Sequence, residues 1–228
     1  SILAVRDIEK SKTHNFFTQF GIGNYDVGGD ERYIANLGLG HRLITDDDLM
    51  IGANIFLDKD LEHKHGRLSL GLEAKGSVLD ANFNQYIGIT KRDEVDGVKE
   101  QSLGGYDYNL ISQVPHMPWA TFKFTGYKHA SDKAKTNTKG EIYTLGVALN
   151  QSLQVDLSSD QSNHEDGDVD AINFTFIYPP REDKPTLTDG LSDEFWHSES
   201  MEDKLSDKVE RKNNLTIEMQ GAVIFTKK

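Results

Sequence analysis

Residues 32–43 read RYIANLGLGHRL, and residues 49–58 read LMIGANIFLD. In the first stretch Tyr33, Ala35, Leu37, Leu39 and Leu43 share one parity, while Arg32, Asn36, Gly38, Gly40 and Arg42 fall on the other. In the second, Leu49, Ile51, Ala53, Ile55 and Leu57 stand against Gly52, Asn54 and Asp58. A period of two residues places alternate side chains on opposite faces of a strand. Here one face is apolar and the other carries charges, amides and glycines. The pattern continues outward on both sides. Leu68, Leu70, Leu72 and Ala74 oppose Arg67, Ser69, Glu73 and Lys75, and Leu79, Ala81, Phe83 and Ile87 oppose Asp80, Asn82 and Asn84. Later Phe122 and Phe124 oppose Lys123, and Ile172, Phe174 and Phe176 oppose Asn173 and Thr175. About eleven strands result, two weaker ones near 2–7 and 15–25 included. Several are roughly 10 residues long, enough to cross a bilayer at a tilt, where globular strands centre on ~5–6.

The connections alternate in length. From residue 45 they run short (45–48), long (58–66), short (76–78), long (91–104), short (115–118), long (129–141), short (150–151) and long (159–170). Outer-membrane barrels have short turns at one end and longer loops at the other. The expected fold is therefore an all-β, transmembrane, antiparallel up-and-down β-barrel with a lipid-facing apolar face and a polar lumen. No run of ~18 apolar residues offers a transmembrane helix. The chain has 228 residues, 36% of them hydrophobic, with 20 glycines, no cysteine and a net charge of −12. Its acidity argues against nucleic acid as a partner, and the missing cysteines exclude disulfides and Cys-based metal sites.

The texture changes after Tyr178. Prolines at 179, 180 and 185 break any strand. The barrel is expected over 1–178, followed over 179–228 by a turn, a helix and an extended linker. The helix is expected over 198–211 (SESMEDKLSDKVER), with Ser198 as cap, Glu199 and Glu202 in its first turns and Lys208 and Arg211 near its end. Its apolar positions are few: Met201, Leu205 and Val209.

Several stretches resemble the barrel of the intimin/invasin family, the inverse autotransporters. They are FFTQFGIG (16–23), ERYIANLGLGHR (31–42) and a strand pair carrying Gly52, Asn54, Phe56, Asp58, Asp60, His65, Arg67, Gly71 and Glu73. Gly105–Asp107 and the tail VERKNN-LTIE (209–218) are similar to further family segments. The resemblance implies a twelve-stranded barrel whose first strand is expected upstream of Ser1. It also implies a bacterial outer-membrane location with the amino-terminal side periplasmic. The segment after Pro179 is then a periplasmic turn, and the helix and linker thread the pore toward the cell exterior. Implied partners are outer-membrane lipid, the barrel-assembly and periplasmic chaperone machinery, and the host cell surface through a passenger outside this chain.

No nucleophile elbow, phosphate loop or HExxH motif is present, so neither catalysis nor a cofactor is expected. Gly38 and Gly40 read as small lumen-facing residues that leave room for something in the pore. His63 and His65 are near one another in a loop, and the acidic run 165–170 spaces oxygen ligands alternately. Both read as solvated loop by default. Lumen parity falls to Arg32, Arg42, Arg67, Glu73, Lys75, Asp107 and Lys123. Charges enclosed in a narrow barrel are costly unless paired, so these are expected to meet Glu202, Lys208 and Arg211 of the plug. The leading expectation is a translocator that exports a passenger for adhesion or invasion. An outer-membrane channel without a passenger and a soluble β-sandwich binding module are the alternatives.

Overall fold

The computed structural model describes residues 1–27, 29–130, 137–163, 168–182, 184–219 and 222–224. Its strands in chain order are β1 (Ile2–Lys10), β2 (His14–Val27), β3 (Asp30–Asp46), β4 (Leu49–Asp60), β5 (Gly66–Gly76), β6 (Leu79–Gly88), β7 (Asp93–Val95) and β8 (Val98–Ser102). They continue with β9 (Gly105–Val114), β10 (Met117–His129), β11 (Thr138–Asn150), β12 (Leu153–Ser162), β13 (Val169–Phe176), β14 (Ile217–Met219) and β15 (Ala222–Ile224). Eleven form one antiparallel sheet in the order β1-β2-β3-β4-β5-β6-β9-β10-β11-β12-β13, with β1 and β13 as its two edges. This is the up-and-down meander of a transmembrane barrel. The other four form a small outer sheet, β15-β14-β8-β7.

Register turns the alternation into two faces. Leu37 lies level with Leu57, Leu57 with Leu68, and Leu68 with Ile87, so outward apolar side chains meet in a belt across four strands. Leu37, Ile51 and Leu70 are 56%, 45% and 48% exposed, which is the lipid contact of the barrel. On the inner face the same register aligns Gly38 with Phe56, and Gly40 with Phe17. A Cβ on either glycine would run into those rings. The space left by the glycines is filled by the wall's own aromatics, which lie flat against it.

Short connections at 11–13, 47–48, 77–78, 115–116 and 151–152 mark one end of the barrel; the other end carries the longer 61–65 and 89–104, the two-residue connection between β2 and β3, and the connections that follow β10 and β12. The loop expected over 91–104 is largely ordered as the β7–β8 hairpin. Asp96 and Gly97 have φ of 49° and 81°, the left-handed pair that a tight two-residue hairpin turn requires. Of the acidic run, residues 165–167 lie outside the described residues.

After β13 the chain straps across the short-turn end. Gln151 O accepts from Arg181 N, Trp119 Nε1 donates to Gly190 O at 2.6 Å, His116 N to Phe195 O at 3.1 Å, and Glu199 N to Ser77 O at 3.2 Å. The helix expected over 198–211 is a single turn, Met201–Lys204, capped by Ser200 rather than Ser198. It stops because the next carbonyls bond to the wall instead of to amides four residues on. Leu205 O accepts from Asn15 and Arg42, and Asp207 O from Arg42. From there the chain runs extended along the inner face of the sheet to β14.

Candidate functional site: the occupied lumen

Three apolar contacts pin the linker at successive heights. Met201 and Leu205 pack on Met50, Val209 on Phe17 and Phe56, and Leu215 and Ile217 on Tyr25, Val27 and Ile34. All these residues are buried. Met201, Leu205 and Val209 keep the four-residue spacing of a helical stripe, yet only the first interval is helical.

Between these contacts lie the charges. Arg42 gives Nε to Glu73 Oε1 at 2.7 Å and Nη2 to Oε2 at 3.2 Å, while Nη1 reaches Leu205 O at 3.0 Å and Asp207 O at 2.6 Å. Asp58 is the hub. Its Oδ2 accepts from Arg67 Nε at 2.8 Å and from Arg211 Nη2 at 2.6 Å, and its Oδ1 accepts from Asn36 at 2.7 Å. Arg67 Nη2 also donates to Lys212 O at 2.6 Å. Arg211 lies over the Phe56 ring at 4.3 Å, Arg42 over Phe17 at 4.4 Å, and Arg67 over Tyr86 at 4.1 Å. Stacking on a ring face is favourable for a guanidinium that has left water. The glycines at 38 and 40 let two of these rings lie where the cations need them.

Lys75 meets Asp207 at 2.8 Å and Lys123 meets Glu210 at 3.2 Å. Asp107 accepts from the Asn84 amide at 2.7 Å and also from the Tyr86 hydroxyl. It thereby holds wall residues that in turn touch the linker. Glu73 likewise acts on the linker through Arg42. Arg32 faces a different partner: it pairs with Glu100 of β8, outside the main sheet, at 2.6 and 2.8 Å. Glu202 is exposed, and its backbone N–H donates to the Ser200 cap. Lys208 bonds within the linker to Glu210 at 2.9 Å and is 55% exposed. The wall contact of the helix falls instead to Lys204, which donates to Asp80 at 2.8 Å and to Gly76 O at 2.7 Å.

At the long-loop end the linker leaves as β14, which pairs with β8: Ile217 opposite Ser102 and Met219 opposite Glu100. Leu103 N donates to Thr216 O at 2.9 Å, and Arg92 reaches Glu218 at 3.3 Å. Glu100 locks this sheet to the barrel through Arg32 and through His65, 2.9 Å away. Burial opposes the charge on Glu100, but the hydrogen bonds and charge of Arg32, together with the hydrogen bond of His65, outweigh it and hold the carboxyl below its ordinary range. Burial also pushes His65 down, against the pull of Glu100, so its ring is neutral at neutral pH. His65 is thus occupied by an ion-pair network, and no three His, Asp or Glu side chains gather as metal ligands among the described residues.

An antiparallel meander with an apolar outer face and charges on its inner face accords with what comparison with known proteins finds. The family model described as "Inverse autotransporter, beta-domain" matches residues 1–213. This chain belongs to that family. Inverse autotransporter relatives include Intimin of Citrobacter freundii, 23% identical over 206 residues, which span 86% of this chain and 22% of that protein. Inverse autotransporter adhesin YeeJ of Escherichia coli K12 is 28% identical over 160 residues, 64% of this chain and 7% of YeeJ. The chain thus spans less than a quarter of the length of either relative. A solved structure from work on in-meso crystallization of membrane proteins superposes with a TM-score of 0.75 at 19% identity. It covers 96% of this chain and 92% of that one, and shows that the fold is shared. As an inverse autotransporter β-domain, the chain is a bacterial outer-membrane barrel of a family without a catalytic role.

Asp58, Asn15, Asn36, Asn84, Lys204 and Glu100 are site residues that the candidate set lacked. Asn36, Asn84 and Asp58 lay on the lumen parity and could have been added from it. Lys204 and Glu100 sit outside the alternating strands, where no periodicity points to them. The Asp96–Gly97 turn was the available signal that 91–104 folds back on itself.

Proposed function

We propose that the chain is the outer-membrane translocator and anchor of an inverse autotransporter. In this reading it exports a C-terminal passenger that mediates adhesion to or invasion of host cells. The observation that carries the reading is the path of residues 201–219. They enter the lumen at the short-turn end, contact the wall at every height and leave at the long-loop end paired with β8. Any polypeptide continuing beyond Ile224 is delivered on the long-loop side. Short turns face the periplasm in outer-membrane barrels, so that side is the cell exterior. Lipid holds the outer face, and barrel-assembly and chaperone machinery deliver the chain to the membrane. The ion pairs around Asp58 and Asp207 tie the linker to the wall after export and make the barrel an anchor.

A folded reporter fused after Lys228 tests this. It should be cut by protease added to intact cells, while the periplasmic strap at 179–200 stays protected. A reporter that remains inside the cell overturns the export reading. An open, passenger-free channel predicts instead that removing residues 190–228 leaves conductance unchanged. The occupied lumen predicts a large rise.

A further inference from the structure

Among the described residues, five wall side chains donate hydrogen bonds to linker carbonyls, and each is held from behind by a wall carboxylate. Asn15 gives one amide hydrogen to Asp7 at 2.6 Å and the other to Leu205 O at 2.9 Å. Asn36 divides its two between Asp58 at 2.7 Å and Asn213 O at 2.8 Å. Asn84 divides them between Asp107 at 2.7 Å and Glu210 O at 3.0 Å. Arg42 is fixed by Glu73 and Arg67 by Asp58, and their remaining N–H groups reach the carbonyls of Leu205, Asp207 and Lys212.

The repetition matters because an amide or guanidinium bonded to a carboxylate has its orientation set before any ligand arrives. The carboxylate accepts only, so it fixes which end of the asparagine amide carries the hydrogens. The second hydrogen then points into the lumen. Preorganised donors bind without the cost of ordering them first, and carbonyls are present in every peptide whatever its side chains. The wall's contacts with linker side chains have the opposite character. Arg211 on Asp58, Asp207 on Lys75 and Glu210 on Lys123 suit this one sequence.

We propose that the lumen is a binding site for extended polypeptide main chain, in which these five donors hold carbonyls irrespective of sequence. The linker's own side chains then fix only the register at which it comes to rest. The identity of the natural ligand, successive segments of a passenger in transit, rests on the export reading above. The grip itself does not.

The test uses the full chain in planar bilayers, with open fraction read from single-channel current. Residues 206–214 are replaced by a Gly/Ser segment of equal length, and Asn36→Leu plus Asn84→Leu is introduced into both the native and the replaced chain. The Gly/Ser chain starts from a higher open fraction, having lost its side-chain contacts. The two wall substitutions should multiply the open fraction by the same factor in both backgrounds, roughly tenfold for two lost hydrogen bonds. A factor that vanishes in the Gly/Ser background shows that the donors served one sequence, and overturns the proposal. Folding is checked by the heat-dependent gel shift. If the double wall variant does not fold, Asn84→Leu alone gives the same comparison with half the logarithmic effect. Equal factors together with a fused reporter that never reaches the cell surface would leave the grip standing and remove the export reading. Unequal factors with normal display would do the reverse.

Discussion

Arg32 on β3 and Glu100 on β8 are 68 residues apart and meet through two parallel hydrogen bonds of 2.6 and 2.8 Å, with both side chains buried. This pair joins the barrel wall to the small sheet that receives the emerging linker. His65 touches the same carboxylate, and Asp60 lies 3.7 Å from the guanidinium.

The pair sets a pH dependence. Glu100 is held below its ordinary value of 4.5, so its contribution is whole above that value and is lost as pH falls toward the lower, folded-state value. His65 is held below its ordinary 6.5. The opened state therefore takes up a proton first as pH drops below 6.5, and its contribution also declines on acidification. Both act in one direction. Hydrogen exchange of the Leu103 amide, which donates to Thr216, should be slow at neutral pH and accelerate in acid after correction for intrinsic rates. Glu100→Gln should make it fast already at neutral pH. Protection that grows on acidification contradicts the assignment.

Asp58 serves two arginines and an asparagine, so its loss should exceed that of any one partner. Asp58→Ala leaves Arg67 and Arg211 buried without their carboxylate, at a cost of about 3–5 kcal/mol. Arg211→Ala leaves Asp58 still paired with Arg67 and Asn36, and should cost about 1.5–3 kcal/mol. Urea unfolding in lipid vesicles, followed by Trp119 and Trp196 fluorescence, gives the order. An equal loss in the two variants means that Asp58 is not the hub.

Leu205 packs on Met50 and Met201 inside the lumen, whereas Leu72 is 63% exposed on the lipid face. Leu205→Ala opens a cavity, a change that costs about 2–5 kcal/mol in packed interiors. It should raise leak current while the barrel keeps its heat-dependent gel shift. Leu72→Ala should leave the current unchanged. A leak from Leu72→Ala equal to that from Leu205→Ala would show that the linker is not what closes the pore.

Gly38 takes the Phe56 ring, on which Arg211 stacks. Gly38→Val forces the ring off its place, and overpacking of this kind costs about 1–3 kcal/mol. Combining it with Phe56→Leu should recover part of the loss, since the two positions share one space. Strictly additive effects in the cycle would separate them.

The barrel was legible because its signal is local. Leu37, Ile51 and Leu70 alternate with Asn36, Gly52 and Gly71, and a two-residue period needs no distant partner to be recognised. The strand count and the short–long rhythm follow from the same rule, and so does the lumen side of Arg42, Arg67 and Lys75. The strands run further than the pattern suggested. β4 continues to Asp60, β11 begins at Thr138 and β12 extends to Ser162, because pairing continues past the belt where outward residues need not be apolar.

What the sequence alone determined is therefore which side chains face lipid and which face the lumen. The tertiary structure decided what the lumen side chains hold. Residues 198–211 carry a helical spacing, but Asn15 and Arg42 take the carbonyls of Leu205 and Asp207, and the helix ends after one turn. Glu202 and Lys208 look like plug contacts by charge, yet Lys204 reaches the wall, because it lies three residues after Met201 on the buried side of the helical turn, while Glu202 points to the exposed side. Arg32 meets Glu100 only because a hairpin from a distant loop folds over it. Local periodicity fixes a residue's face, whereas a partner depends on which strands are brought level, and that is a property of the whole three-dimensional arrangement.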